Sequence, residues 1–338
     1  MRITRDLLLR LAKERTQEKS YNDKSIIAAY LTGSLLQDEP LLGGTTDIDL
    51  VFVHNTPPAL PREIIRLNAD IHLDIAHRSQ DEYKPPRNLR TDPWLGYEIY
   101  DPMLLYETKH FFEFTQASSR AEFHETKTVL QRAHKLLALS RKIWMDFQLD
   151  EELLSPKRFN RYLQALNHAA NAVSELSGPP LPERRFLLTF PERAQAIERI
   201  DFSTRLFTML GADNVDGETL NAWLPTWEKF FTFAAESTIV DARINLDRLA
   251  YYKSGIESIL EGEMPIAALW PLLKTWTLSV SVLPAGQITP WENACHLLGL
   301  TDKAFAAKLE MLDLYLDDIE VILEKSAASH GLEHSELV

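Results

Sequence analysis

DIDLVFVH, residues 47–54, reads as a β-strand. Side chains on a strand alternate between its two faces, so residues i and i+2 share one. Asp47 and Asp49 therefore point the same way, while Ile48 and Leu50 enter the opposite, apolar layer. Adjacent carboxylates repel each other and cost stability unless a cation sits between them. Such a pair inside an apolar run points to a hard divalent metal, which prefers oxygen ligands.

Two further β-rich runs flank this strand: SIIAAYLTG at 25–33 and IHLDIAH at 71–77. The first leads into Gly33-Ser34, where glycine lets the backbone approach a phosphate closely. The Ser34 hydroxyl and nearby N–H groups can donate to phosphate oxygens. In the second run Asp74 stands between Leu73 and Ile75, and it converges on Asp47 and Asp49 if the strands are neighbours. Loop signals separate the runs: Gly43-Gly44-Thr45-Thr46, and Asn55 to Pro61 with its three prolines. Glu63 to Leu67 is either a strand paired to the run at 71–77 or a helical turn. Three carboxylates at one sheet edge can hold two Mg²⁺ ions about 3.5–4 Å apart. One ion would lower the pKa of an attacking hydroxyl, and the other would stabilise a leaving pyrophosphate. The GxxxxGK[ST] phosphate loop is absent.

Gly33-Ser34, then Asp47-x-Asp49 between apolar residues, then a later strand aspartate, Asp74, resembles the signature of the polymerase-beta-type nucleotidyltransferase superfamily. The resemblance covers residues 25–77 and rests on the ordered triple, since none of its pieces is specific alone. It implies that Asp47, Asp49 and Asp74 ligate two Mg²⁺ ions, with Asp74 helping to deprotonate the acceptor hydroxyl. It also implies that Gly33 and Ser34 hold the triphosphate of an NTP, with ATP as the expected donor. Family members often carry small and basic residues between the two motifs, whereas this chain has Gln37-Asp38-Glu39-Pro40. His54, His72 and His77 are read as packing or surface residues, because imidazole favours softer metals than Mg²⁺.

The 338 residues are 45% apolar and 25% charged, with seven Trp and fifteen Phe, which describes a folded chain of one large or two medium domains. Against 36 Lys plus Arg stand 49 Asp plus Glu, a formal charge of −13, which disfavours unspecific binding to nucleic acid. Cys295 is the single cysteine, so neither an internal disulfide nor a cysteine zinc cluster is available. A reduced, cytoplasmic location is expected. No run approaches the ~18–20 apolar residues of a membrane span. Residues 1–20 lack the apolar core of a signal peptide. Ile3, Leu7, Leu8 and Leu11 recur at helical spacing instead and predict an amphipathic helix packed on the β-rich domain.

From about residue 116 the pattern turns helical. Arg120 to Phe147 reads as one long helix, followed by stretches near 156–177, 191–210, 217–234, 241–261, 265–282 and 301–325. The expected fold class is α+β: a small mixed sheet with nucleotidyltransferase character over 1–115, then an all-helical domain over 116–338. Lys253 and the pair Arg184-Arg185 are candidates for reaching a phosphate or base across a cleft, with solvated charge the plainer reading; Lys253 is retained as a nucleotide-binding candidate. Arg161 and His168 loosely resemble the ribonuclease motif of helical domains encoded beside small nucleotidyltransferases, although chance recurrence suffices. Trp223, Trp227, Phe230 and Phe231 are read as core.

The resulting expectation is an enzyme moving a nucleoside monophosphate from an NTP to a hydroxyl of a small molecule. The plan of one catalytic domain followed by helices is similar to aminoglycoside nucleotidyltransferases, but the acceptor stays open. The alternatives are a protein-modifying nucleotidyltransferase of antitoxin type and a regulatory protein that binds nucleotide without turnover. RNA tailing fits less well, since no aromatic-basic strip is present.

Overall fold

The computed structural model describes residues 3–68, 71–149, 155–237, 241–333 and 337. The chain divides into two compact units, one formed by residues 1–123 with Asp247–Gly255, the other by 124–246 with 256–338.

The first unit is built on a five-stranded mixed sheet ordered β3-β4-β2-β1-β5, from β1 (Ile26–Thr32), β2 (Thr46–His54), β3 (Arg62–Arg66), β4 (Ile71–Ser79) and β5 (Met103–Glu107). The three expected strands are β1, β2 and β4. The open segment at 63–67 is strand β3, antiparallel to β4 on the sheet edge. Only β2 and β4 run parallel, with Asp47 opposite His72 and Asp49 opposite Asp74. In a parallel pair, residues in register face the same side, so this register gathers the acids.

Each face of the sheet has its own apolar layer. Ile48, Leu50, Phe52, Leu73 and Ile75 pack on one side with Leu8 and Ala12 of α1 (Arg5–Asn22). That helix starts where the Thr4 hydroxyl accepts from Leu7 N–H, and it buries Leu8, Ala12, Thr16 and Ser20 at a spacing of four, one stripe along its length. The opposite face packs Tyr30, Val51 and Val53 against Ile99 of α2 (Leu95–Tyr100) and Phe112 of α3 (Phe111–Arg120). Asp47, Asp49 and Asp74 lie on this second face, beyond the point where its apolar side chains end.

The division differs from a single boundary near residue 115. The Phe112 and Tyr30 rings pack tilted with centroids 5.0 Å apart, and Phe123 packs on Tyr97 and Tyr100 of α2, which ties the chain to the first unit as far as 123. Residues 247–255 rejoin the first unit from α9 (Leu246–Leu260), within the stretch expected to be wholly part of the helical domain.

The second unit contains α4 (Thr126–Leu149), α5 (Pro156–Ser174), α6 (Phe186–Ala196), α7 (Asp201–Met209), α8 (Gly217–Ala235), α10 (Leu269–Val280), α11 (Thr289–Leu297) and α12 (Asp302–Ser329). Every residue of α10 is buried, and its Thr275 and Thr277 hydroxyls accept from the indole N–H groups of Trp227 and Trp291 at 2.9 and 3.1 Å. Trp227 and Phe231 are core as expected, and Trp223 and Phe230 flank Trp276. Among the described residues no helix is long and apolar enough to cross a membrane.

Candidate functional site

The site grows from the ends of β1, β2 and β4. After β1, Gly33 adopts φ 80° and ψ −161°, and Ser34 opens a 3-10 turn, Ser34–Leu36. Thr32 pairs with Asp49, so the turn lies directly against that carboxylate. A Cβ at Gly33 would stand 2.0 Å from Asp49 Oδ2, so the crowding that requires glycine here comes from an acid of the site itself. The Ser34 hydroxyl is held 2.9 Å from Thr46 Oγ1, the first residue of β2.

Asp47, Asp49 and Asp74 each bring a carboxylate oxygen within 4.8 Å of the others. Asp47 and Asp74 are only 3% and 4% exposed, so their charges are removed from water and need partners. Two arginines supply them. Arg62 of β3 grips Asp74 with both prongs, Nε donating to Oδ1 at 2.6 Å and Nη2 to Oδ2. Arg248 of α9 donates from Nη2 to Asp47 Oδ2 at 3.0 Å and sets Nη1 2.8 Å from Asp74 Oδ2, bridging the two acids. Its guanidinium lies over the rings of Tyr251 and Tyr252 at 5.2 and 5.3 Å, and its buried Nε–H makes no hydrogen bond.

These contacts divide the electrostatics unevenly. Burial raises Asp74, but hydrogen bonds from Arg62 and the charges of Arg248 and Arg62 outweigh it and hold the carboxyl below its usual range. Burial likewise opposes the charge of Arg248, which Tyr252, Asp74 and Asp47 restore. Asp49 has no hydrogen-bond or ion-pair partner among the described residues. Burial, with Asp47 and Asp74 adding to it, pushes Asp49 well above the carboxylate range. An unpartnered acid between two others, all offering oxygen, fits a hard divalent cation.

The structure thus brings together Gly33, Ser34, Asp47, Asp49 and Asp74. Lys253 lies five residues beyond Arg248 on α9, about 140° further round at 3.6 residues per turn, and is partly buried. His54 and His77 form a separate chain: Ser25 Oγ meets His54 Nδ1 at 2.8 Å, His54 Nε2 meets His77 Nδ1 at 2.9 Å, and His77 Nε2 meets Glu63 at 3.0 Å. His72 is different: its Nε2 lies 4.0 Å from Asp47 Oδ2 and its ring meets Tyr251 edge-on, so it belongs to the surroundings of the site. In the second unit Arg161 pairs with Asp146, and Arg184 is buried rather than solvated.

Sequence reasoning missed Arg62 and Arg248. Arg62 opens β3, whose local pattern fits strand or turn alike, and it faces Asp74 only once β3 is paired with β4. Arg248 stands 201 residues from Asp47 and carries no local mark that separates it from the other basic residues. Another acidic group, Glu107, His110 and Glu113, is explained by capping: Glu107 Oε2 accepts from the N–H groups of Phe112 and Glu113 at the start of α3. No protein-family model and no curated protein matches the chain, so a functional reading rests on the geometry of these residues.

Proposed function

We propose that the protein is a nucleotidyltransferase that moves a nucleoside monophosphate, with ATP as the expected donor, onto a hydroxyl of a small molecule and releases pyrophosphate. The observation that carries the reading is the convergence of three carboxylates from two parallel strands beside the Gly33-Ser34 turn.

Asp47, Asp49 and Asp74 would hold two Mg²⁺ ions. When bound, these supply a lowered pKa for the acceptor hydroxyl and neutralise charge on the triphosphate. The remaining work falls to positioning, because this class of transfer leaves the protein little covalent chemistry. The Ser34 hydroxyl, held 2.9 Å from Thr46 Oγ1, and the adjacent N–H groups can donate to phosphate oxygens. Arg62 fixes both oxygens of Asp74 and keeps the group ionised. That suits Asp74 as a ligand better than as the proton acceptor, since a carboxylate so stabilised is a weak base.

Arg248 in contact with two of the acids favours one alternative, a nucleotide-binding regulatory protein without turnover. The unpartnered Asp49 opposes it, because a cluster neutralised by arginines alone has no need of a third acid. The test is a screen of labelled NTPs against candidate acceptors with Mg²⁺, reading pyrophosphate release, with Asp47→Asn and Asp49→Asn as controls. Release is expected to fall at least about 100-fold in either variant, a barrier increase of roughly 2.7 kcal/mol or more, with unchanged far-UV circular dichroism. Activity equal to the parent in either variant removes the assignment.

A further inference from the structure

The acids of the site number three and the guanidiniums against them two, and Arg248 alone of the two contacts two of the acids at once. Its two Nη atoms meet Oδ2 of Asp47 and Oδ2 of Asp74, two of the three acids whose carboxylates converge within 4.8 Å. Asp74 Oδ2 also receives Arg62, so both oxygens of Asp74 already have a donor. The side chain of Arg248 is 5% exposed, which leaves little water to screen a second positive charge beside it. A divalent ion ligated at about 2.1 Å by these oxygens would stand against the guanidinium at a distance where like charges repel strongly.

We propose that Arg248 is an internal competitor for the divalent cation: its guanidinium bridges Asp47 and Asp74 while the site is unloaded, and it must leave that bridge before metal is bound. The inference rests on the reading of Asp47, Asp49 and Asp74 as cation ligands and adds a residue that governs how readily they are filled. Arg248 thus acts as a positioning residue. It keeps two buried carboxylates ionised and convergent in the absence of metal, and it sets a threshold on metal loading. Its unpaired Nε–H and the two tyrosine rings beneath it show a guanidinium held by the acids and by stacking, without the complete set of hydrogen bonds that would fix it there.

The competition has a definite sign. When only a fraction of molecules is competent to bind, the apparent dissociation constant rises by the inverse of that fraction. Removing the guanidinium makes every molecule competent, so affinity for metal increases. A residue that merely supported the ligands would produce the reverse.

The experiment is Mn²⁺ titration of the full chain, followed by electron paramagnetic resonance of the free ion, for the parent, Arg248→Gln, Arg248→Lys and Asp49→Asn. Arg248→Gln is expected to bind Mn²⁺ about tenfold or more tightly than the parent. It is also expected to show a lower melting midpoint without metal and a larger upward shift with it. Arg248→Lys keeps the charge but lacks the fork that spans two carboxylates, so it tightens binding by a smaller factor and serves where the Gln variant fails to fold. Binding by these variants that is unchanged or weaker than the parent's overturns the competition and leaves the cation site standing. Parent and Arg248 variants that bind no better than Asp49→Asn overturn the cation reading and the competition together.

Discussion

Replacing Gly33 by Ala sets the geometry of the site against its stability. The added Cβ would lie 2.0 Å from Asp49 Oδ2, 2.8 Å from its Cγ and 3.1 Å from its Cβ. The backbone at φ 80° and ψ −161° is a region essentially reserved for glycine, and holding alanine there costs about 1–3 kcal/mol. Overpacking adds about 1–3 kcal/mol, for a total of about 2–6 kcal/mol. Gly44 supplies the control: its φ is also positive, 72°, but nothing lies within 4 Å of a Cβ built there. Gly44→Ala should therefore show the backbone cost alone, about 1–2 kcal/mol. Urea unfolding of both variants measures the difference, and Mn²⁺ titration measures its consequence. Asp49 must move to admit the methyl group, so Gly33→Ala is expected to lose Mn²⁺ affinity while Gly44→Ala keeps it. Equal stability losses with equal Mn²⁺ affinity would refute the argument that Asp49 makes Gly33 necessary.

Two expectations concern the second unit. Burial, with the charge of Arg243 adding to it, lowers the Lys274 ammonium from 10.5 to about 8. Between these values the unfolded chain holds a proton that the folded chain lacks, so stability rises with pH by up to about 1.4 kcal/mol per unit. Lys274→Met should lose that slope in urea unfolding at pH 8, 9 and 10, and a slope identical to the parent's refutes it. Arg132 and Glu175 form an ion pair with side chains 0% and 1% exposed. Arg132→Ala should cost about 3–5 kcal/mol by removing the guanidinium that faces a buried carboxylate, whereas Arg132→Met with Glu175→Leu should recover most of the loss; a double variant as unstable as the sum of the single ones refutes it.

How much of the chain was legible depends on the range of each interaction. Alternation is a property of neighbouring residues, so β2 and the shared face of Asp47 and Asp49 could be read from eight letters. Strand β5 escaped because it is short, lies at a sheet edge and has no clean alternation of burial. The long helix read over 120–147 is broken at Glu122, whose φ of 60° carries none of the usual glycine signal, and Glu198 at φ 59° lies in the break between α6 and α7. The charge state of the site could not be read at all. Asp74 is held below the usual carboxylate range through Arg62, on a strand whose pairing no local pattern decides, and through Arg248, in a helix assigned to the other domain. Local pattern identifies groups that want a cation; which cation they meet first depends on how the chain returns to them. For this protein that return is residues 247–255, which set the guanidinium of Arg248 against Asp47 and Asp74.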